Sequence, residues 1–179
     1  MKINIGAGAT RYNGFVNCDH SSLFNPEYVF DLETDVFPFE DNSVDEVIAY
    51  HVLEHLGEGY FHCLQELYRV CKKDAIIKIR VPHFLNENMY HDPTHKRPIT
   101  PVGLNLFNKK LNLASNSAAS KLGLQYNVDF EVIRTHNHLN GEHPRIGDLT
   151  QMPPEILDAY AFDRFNIYAE VEIDLRVIK

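Results

Sequence analysis

The sequence predicts an α/β chain on a mostly parallel seven-stranded sheet that ends in an antiparallel strand pair. Two observations carry this expectation. In the first half, short apolar runs that stop at an acid, a glycine or a proline alternate with connections, one of them clearly amphipathic, which is the sign of strand–crossover–strand units. In the second half the pattern changes to strict alternation of apolar and charged residues, the sign of half-exposed antiparallel strands.

Taken in order, "MKINI" (Met1 to Ile5) reads as the first strand and ends on Gly6-Ala7-Gly8. "FVNCD" (Phe15 to Asp19) and "EYVFDL" (Glu27 to Leu32) are the second and third, each running toward an acid. Asp41-Asn42-Ser43 is turn chemistry, because Asp and Asn bond their own backbone, and "SVDEVIAY" (Ser43 to Tyr50) follows it as the fourth strand. Tyr60, Phe61, Leu64, Leu67, Tyr68 and Cys71 recur at three- and four-residue steps, the spacing of one helix face. "AIIKIRVP" (Ala75 to Pro82) is the fifth strand, stopped by a proline that cannot continue a ladder. Val128, Phe130 and Val132 alternate in the sixth, and Ile167, Ala169, Val171, Ile173, Leu175 and Val177 line one face of the seventh. Two long connections remain, His83–Pro101 and Leu139–Arg164. Pro93, Pro98 and Pro101 exclude a long helix from the first, while Gly141, Pro144, Gly147 and Pro153-Pro154 give the second the composition of a lid. Both are expected on the substrate side of a single domain spanning residues 1–179.

The formal charge of −8 repels a long anionic nucleic acid unless the basic residues are segregated, and Lys96-Arg97 and Lys109-Lys110 are only short pairs. Nucleic acid is therefore not the expected partner. Cys18, Cys63 and Cys71 are an odd number without a C-x-x-C pair, which suits buried thiols in a reducing compartment. With no charged-then-apolar leader and no apolar run of spanning length, the expected location is cytoplasmic and away from membranes.

Two motifs compete for the chemistry. The glycines of "NIGAG" (Asn4 to Gly8) permit a tight turn and close approach of backbone N–H groups to a ligand. They do not form a dinucleotide fingerprint: Arg11 stands where the third glycine belongs, and Asp19 comes well before the ribose-binding acid expected about twenty residues on. Asp19 still suits a ribose, since a carboxylate accepts protons from both hydroxyls of a diol. "HVLEH" (His51 to His55) contains H-x-x-E-H. On a helix, His51, Glu54 and His55 would supply two zinc ligands and a base, a hydrolase reading that lacks an evident third ligand.

The series "INIGAG", "GFVNCD", "DLETDVFPFEDNSVDEVIAYHVLEHL" and "ELYRVCKKDAIIKIRVP" resembles the class I methyltransferases that use S-adenosylmethionine, in particular a short subgroup with an abbreviated connection between its first two strands. The resemblance implies a Rossmann-like, doubly wound sheet and S-adenosylmethionine as methyl donor, with S-adenosylhomocysteine as product. It implies that Gly6, Ala7 and Gly8 pass under the methionine and ribose, that Asp19 holds the ribose hydroxyls with His20 beside the adenine, and that Asp31 and the backbone of Leu32 meet the adenine amino edge. His51 would lie near the sulfonium. Lys72-Lys73-Asp74 replaces the family's Pro-Gly-Gly turn, and Ala7 stands where the family often has cysteine.

On the acceptor side, "NENMYHDPTHKRPITP" (Asn86 to Pro101) follows the fifth strand, where an open α/β sheet presents groups to a ligand. His91 or His95 is the expected base with Asp92 orienting the imidazole and His51 close to the reacting centre. Arg97, His136 and His138 are expected to bind a small polar acceptor. No metal ligand set is predicted, although these histidines are of the type that holds a divalent ion. A module that binds the nucleoside cofactor without turnover is the alternative from another class, and the crowd of ionisable residues after the fifth strand argues against it.

Overall fold

The computed structural model describes residues 1–114 and 120–179. Its strands are β1 (Lys2–Ile5), β2 (Val16–Asp19), β3 (Tyr28–Val29), β4 (Val44–Tyr50), β5 (Cys71–Pro82), β6 (Phe130–Leu139), the short pair β7 (Glu142–His143) and β8 (Gly147–Asp148), and β9 (Tyr168–Val177). The helices are α1 (Tyr60–Val70), α2 (Asn88–His91), α3 (Pro101–Asn105), α4 (Lys109–Ala114), α5 (Leu122–Gln125) and α6 (Pro154–Asp163). Seven strands form one sheet in the order β3-β2-β1-β4-β5-β9-β6. The chain winds outward from β1 to β3, returns to β4 beside β1 and proceeds the other way, which is the doubly wound path expected. The first five strands pair in parallel, and β9 lies antiparallel between β5 and β6.

Alternation decides which face is buried. Ile3, Ile5, Val47, Ala49, Ile77 and Ile79 join Val171, Ile173 and Leu175 of β9 in one core, against which α1 packs Cys63, Leu64, Leu67 and Val70. The opposite face carries ion pairs: Lys2 and Lys78 flank Glu46 at 2.6 and 2.5 Å, Arg80 meets Glu172, and Arg134 meets Asp174 at 2.8 Å. Among the described residues the β1–β2 and β2–β3 connections contain no α-helix; Tyr12 of the first packs edge-on against Tyr50. The ion pairs on the other face, each with a partly solvated basic partner, contribute little, about 0–1 kcal/mol each, so the cohesion of the sheet comes from its apolar face.

Several boundaries differ from expectation. The helix stops at Val70, and Cys71 already pairs with Val44 in β5; the next matched pair is Glu46 with Ile76, so Lys72, Lys73 and Asp74 bulge out, Asp74 with φ +63°. The third strand shrinks to two residues because Phe30 and Leu32 turn inward to the core. The 139–164 connection is not a structureless lid: it holds the β7–β8 pair and α6, and Leu149 and Leu157 share a small separate core with Ile167. Since β6 ends and β9 starts at the edge where the parallel strands end, this segment leaves from the same edge as the loops after β1, β4 and β5.

Candidate functional site

At that edge two cavities adjoin, and His51 lines both. The first, about 540 Å³, is lined by Gly6, Asp19, His20, Asp31, Leu32, Glu33, His51, Val52, His55, Leu56 and Thr94. The second, about 600 Å³, is lined by His51, Pro82, Asn88, His91, Asp92, Pro93, His95, Ala169 and Glu170. Both fall in the size range of small-molecule sites.

The first cavity is built on the β1 turn. Gly6 and Gly8 have φ of +58° and +49°, a region that side chains disfavour, and a Cβ on Gly6 would stand 2.4 Å from Val52 Cγ2. Asp19, at the end of β2, is nearly buried; its Oδ2 accepts from Gly8 N at 2.8 Å and its Oδ1 from Ser21 N at 2.9 Å. These bonds fix the carboxylate and leave it lone pairs for further donors. The exposed His20 ring lies 3.3 Å from Asp19 Oδ1. Asp31 caps the following turn through Glu33 N at 2.8 Å, and Glu33 in turn accepts from Gly57 N and Gly59 N at 2.8 and 3.0 Å. Ala7 is buried and its N–H donates to Cys18 O, closing the turn onto β2.

His51 sits just beyond β4 with φ +55°, an uncommon conformation for a residue with a side chain. It stands between two carboxylates, Nε2 2.9 Å from Glu170 Oε1 and Nδ1 3.4 Å from Glu54 Oε1. Its pKa is raised above the ordinary imidazole value: the facing Glu54 is the largest cause, burial opposes it, and Glu170 adds to it. The turn after it, Leu53–His55, is 3₁₀ and not α-helical, so the helix-face arrangement assumed for the zinc hydrolase reading of His51, Glu54 and His55 is absent. Burial of Glu54 also removes it from the position a solvent-facing base needs.

In the second cavity His91 ends α2 and is exposed, while Asp92 accepts from both Thr94 N (2.8 Å) and Thr94 Oγ1 (2.6 Å). The Thr94 hydroxyl and N–H hold the Asp92 carboxyl below the usual carboxylate range. His95 is largely buried, with Nδ1 3.0 Å from Met89 O. Asp92 is 3.9 Å from its Nε2, too far for a direct hydrogen bond.

The remaining sequence-predicted residues lie elsewhere. Arg97 donates to the carbonyls of Leu56 (3.1 Å) and Gly57 (2.6 Å), stacks on Tyr60, and lines a different cavity. His136 and His138 pack edge to face on edge strand β6, with His138 Nε2 3.4 Å from Glu172, outside both cavities. Sequence reasoning missed Glu170, Glu33 and Thr94. Glu170 was legible only as one more polar position in the alternation of β9; what brings it to His51 is its register opposite Pro82.

Residues 14–79 match the family model described as a methyltransferase domain. No curated protein matches the chain in sequence. Among solved structures, a SAM-dependent methyltransferase from Archaeoglobus fulgidus is 18% identical, with 98% of this chain and 85% of the other covered and a TM-score of 0.61. A putative methyltransferase of Haloferax volcanii, in complex with the Trm112 methyltransferase activator, is 13% identical (99% and 82% covered, TM-score 0.61). The Burkholderia thailandensis 1,6-didemethyltoxoflavin-N1-methyltransferase, with 1,6-didemethyltoxoflavin and S-adenosylhomocysteine bound, is 11% identical (99% and 71% covered, TM-score 0.52). The resemblance to class I S-adenosylmethionine-dependent methyltransferases thus holds in the family model over residues 14–79 and in the fold over nearly the whole chain. Among the described residues no helix is long and apolar enough to cross a membrane.

Proposed function

We propose that the chain transfers a methyl group from S-adenosylmethionine to an oxygen or nitrogen of a small polar acceptor in the cytoplasm. The observation that carries this reading is the pair of cavities meeting at His51, one floored by the glycine turn and Asp19, the other ringed by ionisable side chains.

The first cavity fits the cofactor. Its size is adequate, the Gly6 position has no room for a Cβ, and the anchored Asp19 carboxylate keeps acceptor capacity for a diol. Gly6, Ala7 and Gly8 would run beneath the methionine and ribose, Asp19 would take the ribose hydroxyls with His20 near the base, and Asp31 with Leu32 would meet the adenine edge. When bound, the sulfonium supplies an already activated methyl group. The chain therefore has mainly to align the acceptor in line with it and exclude water. His51, between Glu54 and Glu170, would hold a proton and a fixed dipole at the junction. His91, with Asp92 beside it, would take the proton the acceptor loses, while His95, its Nδ1 facing the Met89 carbonyl, would hold the loop that carries His91. Arg97 is occupied by backbone carbonyls, and His136 and His138 lie away from the cavities, so the acceptor is proposed to contact Asn88, His91 and Glu170 first.

The test is S-adenosylhomocysteine release with a panel of small hydroxyl and amine acceptors, for the wild type and for His91→Ala and His95→Ala. Turnover that falls at least tenfold in one variant supports the reading. Cofactor binding with no release above the spontaneous rate across the panel would favour the non-catalytic binding module.

A further inference from the structure

The Glu54 carboxylate is unexplained by methyl transfer. It is 0% exposed, and among the described residues neither of its oxygens accepts a hydrogen bond. His51 Nδ1 stands 3.4 Å from Oε1 without hydrogen-bond geometry. The facing imidazole offers this carboxylate a charge but no hydrogen bond, a costly condition for a buried carboxylate that native structures relieve with hydrogen-bond donors or a metal ion.

Two imidazoles converge on it. Ligand atoms of Glu54, His55 and His95 all lie within 4.8 Å of one another, and the two rings are 4.6 Å apart. The 3₁₀ turn supplies the first two residues. The third arrives from forty residues on because Lys96 N and Arg97 N donate to Glu54 O at 2.7 and 3.3 Å, and the Arg97 side chain ties the same turn through Leu56 and Gly57.

The outer partners set the tautomers. His95 Nδ1 faces the carbonyl of Met89, which can only accept, so Nδ1 carries the proton and Nε2 keeps its lone pair. His55 Nδ1 is 2.9 Å from Thr94 Oγ1, whose own proton goes to Asp92 Oδ1, so Nδ1 of His55 is again the donor. Metal-ligating histidines show this pattern, with the second ring nitrogen donating to a carbonyl or, here through a hydroxyl, to a carboxylate.

We propose that Glu54, His55 and His95 bind a divalent first-row transition ion at the wall between the two cavities. Two imidazoles and one carboxylate form a donor set suited to Zn2+ and its neighbours, and three protein ligands leave at least one position for a non-protein ligand. Donor atoms bound at about 2.0–2.2 Å to one ion lie closer together than the present spread, so the side chains would close on the ion by a small rotation. The site stands on this geometry and does not depend on the methyl-transfer reading. It differs from the H-x-x-E-H expectation in one ligand: His95 replaces His51.

That difference makes the test specific. The chelator-treated 179-residue chain is titrated with Zn2+ by calorimetry, and with Co2+ while the visible spectrum is followed. The variants are Glu54→Gln, His95→Ala and His51→Ala. The expected result is one site per chain of micromolar or better affinity, weakened at least a hundredfold by Glu54→Gln and by His95→Ala and within threefold of wild type in His51→Ala. Thermal melts cover loss of folding: each metal-free variant should unfold in one cooperative transition, and Zn2+ should raise the melting temperatures of the wild type and His51→Ala but not those of Glu54→Gln or His95→Ala. Three outcomes overturn the proposal: no binding tighter than about 100 µM, binding unchanged in Glu54→Gln, or binding lost in His51→Ala but kept in His95→Ala.

Discussion

Substituting the two glycines of the β1 turn separates backbone strain from steric exclusion. Both have positive φ, so alanine at either meets the left-handed penalty, about 1–2 kcal/mol, offset by about 0.4–1 kcal/mol from the stiffer unfolded chain. They differ in space. Among the described residues a Cβ on Gly8 meets nothing within 4 Å, whereas a Cβ on Gly6 would lie 2.4 Å from one methyl carbon of Val52 and 3.1 Å from the other. Val52 is buried, so it yields only by disturbing the core, and overpacking of this kind costs about 1–3 kcal/mol. Gly6→Ala should therefore destabilise by about 2–4 kcal/mol and Gly8→Ala by about 1 kcal/mol. Urea unfolding of both variants and the wild type, with equal m-values, measures the difference. Because Val52 also lines the 540 Å³ cavity, Gly6→Ala should weaken S-adenosylhomocysteine binding as well. Equal losses of stability at the two positions would refute the steric part of the reasoning.

Other predictions follow from the same contacts. Arg97→Ala should destabilise the fold by about 1.5–3 kcal/mol, the range for hydrogen bonds from a charged group, and leave the KM for small polar acceptors unchanged; a normal urea midpoint with a raised KM would restore its expected binding role. His51 has a raised folded pKa, so its contribution to stability is fully present below about 6.5, the unfolded value, and is lost as pH rises through the folded pKa. Glu170→Gln should lower the midpoint of His51 seen by proton NMR and flatten the stability change above pH 6.5; an unmoved midpoint would mean that Glu170 is not its partner. His136→Ala, on the exposed edge strand, should change stability by less than about 0.5 kcal/mol, measured by the same urea titration.

Much of the sheet was legible because its physics is local. The acid at the end of "FVNCD", the proline closing "AIIKIRVP" and the alternation from Ile167 to Val177 each report strand ends or faces directly. The ion-paired face of the sheet was also written there, in Glu46, Lys78 and Arg80 alternating with buried neighbours. Pro153-Pro154 misled in the other direction: read as loop residues, they start α6, since a proline at the first helical position costs no hydrogen bond. "HVLEH" misled because its spacing has meaning only on a helix, and the left-handed His51 prevents one. The approach of His95 to His55 is a tertiary contact forty residues apart, set by Arg97 and two backbone N–H groups, and no periodicity could announce it.

The central claim is that the glycine turn and Asp19 form a site for S-adenosylmethionine. Calorimetric titration of the metal-stripped protein with S-adenosylmethionine and S-adenosylhomocysteine, repeated with Asp19→Ala, tests it most directly. The account predicts one site per chain at micromolar affinity, weakened at least thirtyfold in the variant while its far-ultraviolet circular dichroism stays native. Absence of binding by either ligand to the folded wild type, or equal affinity in Asp19→Ala, would contradict it.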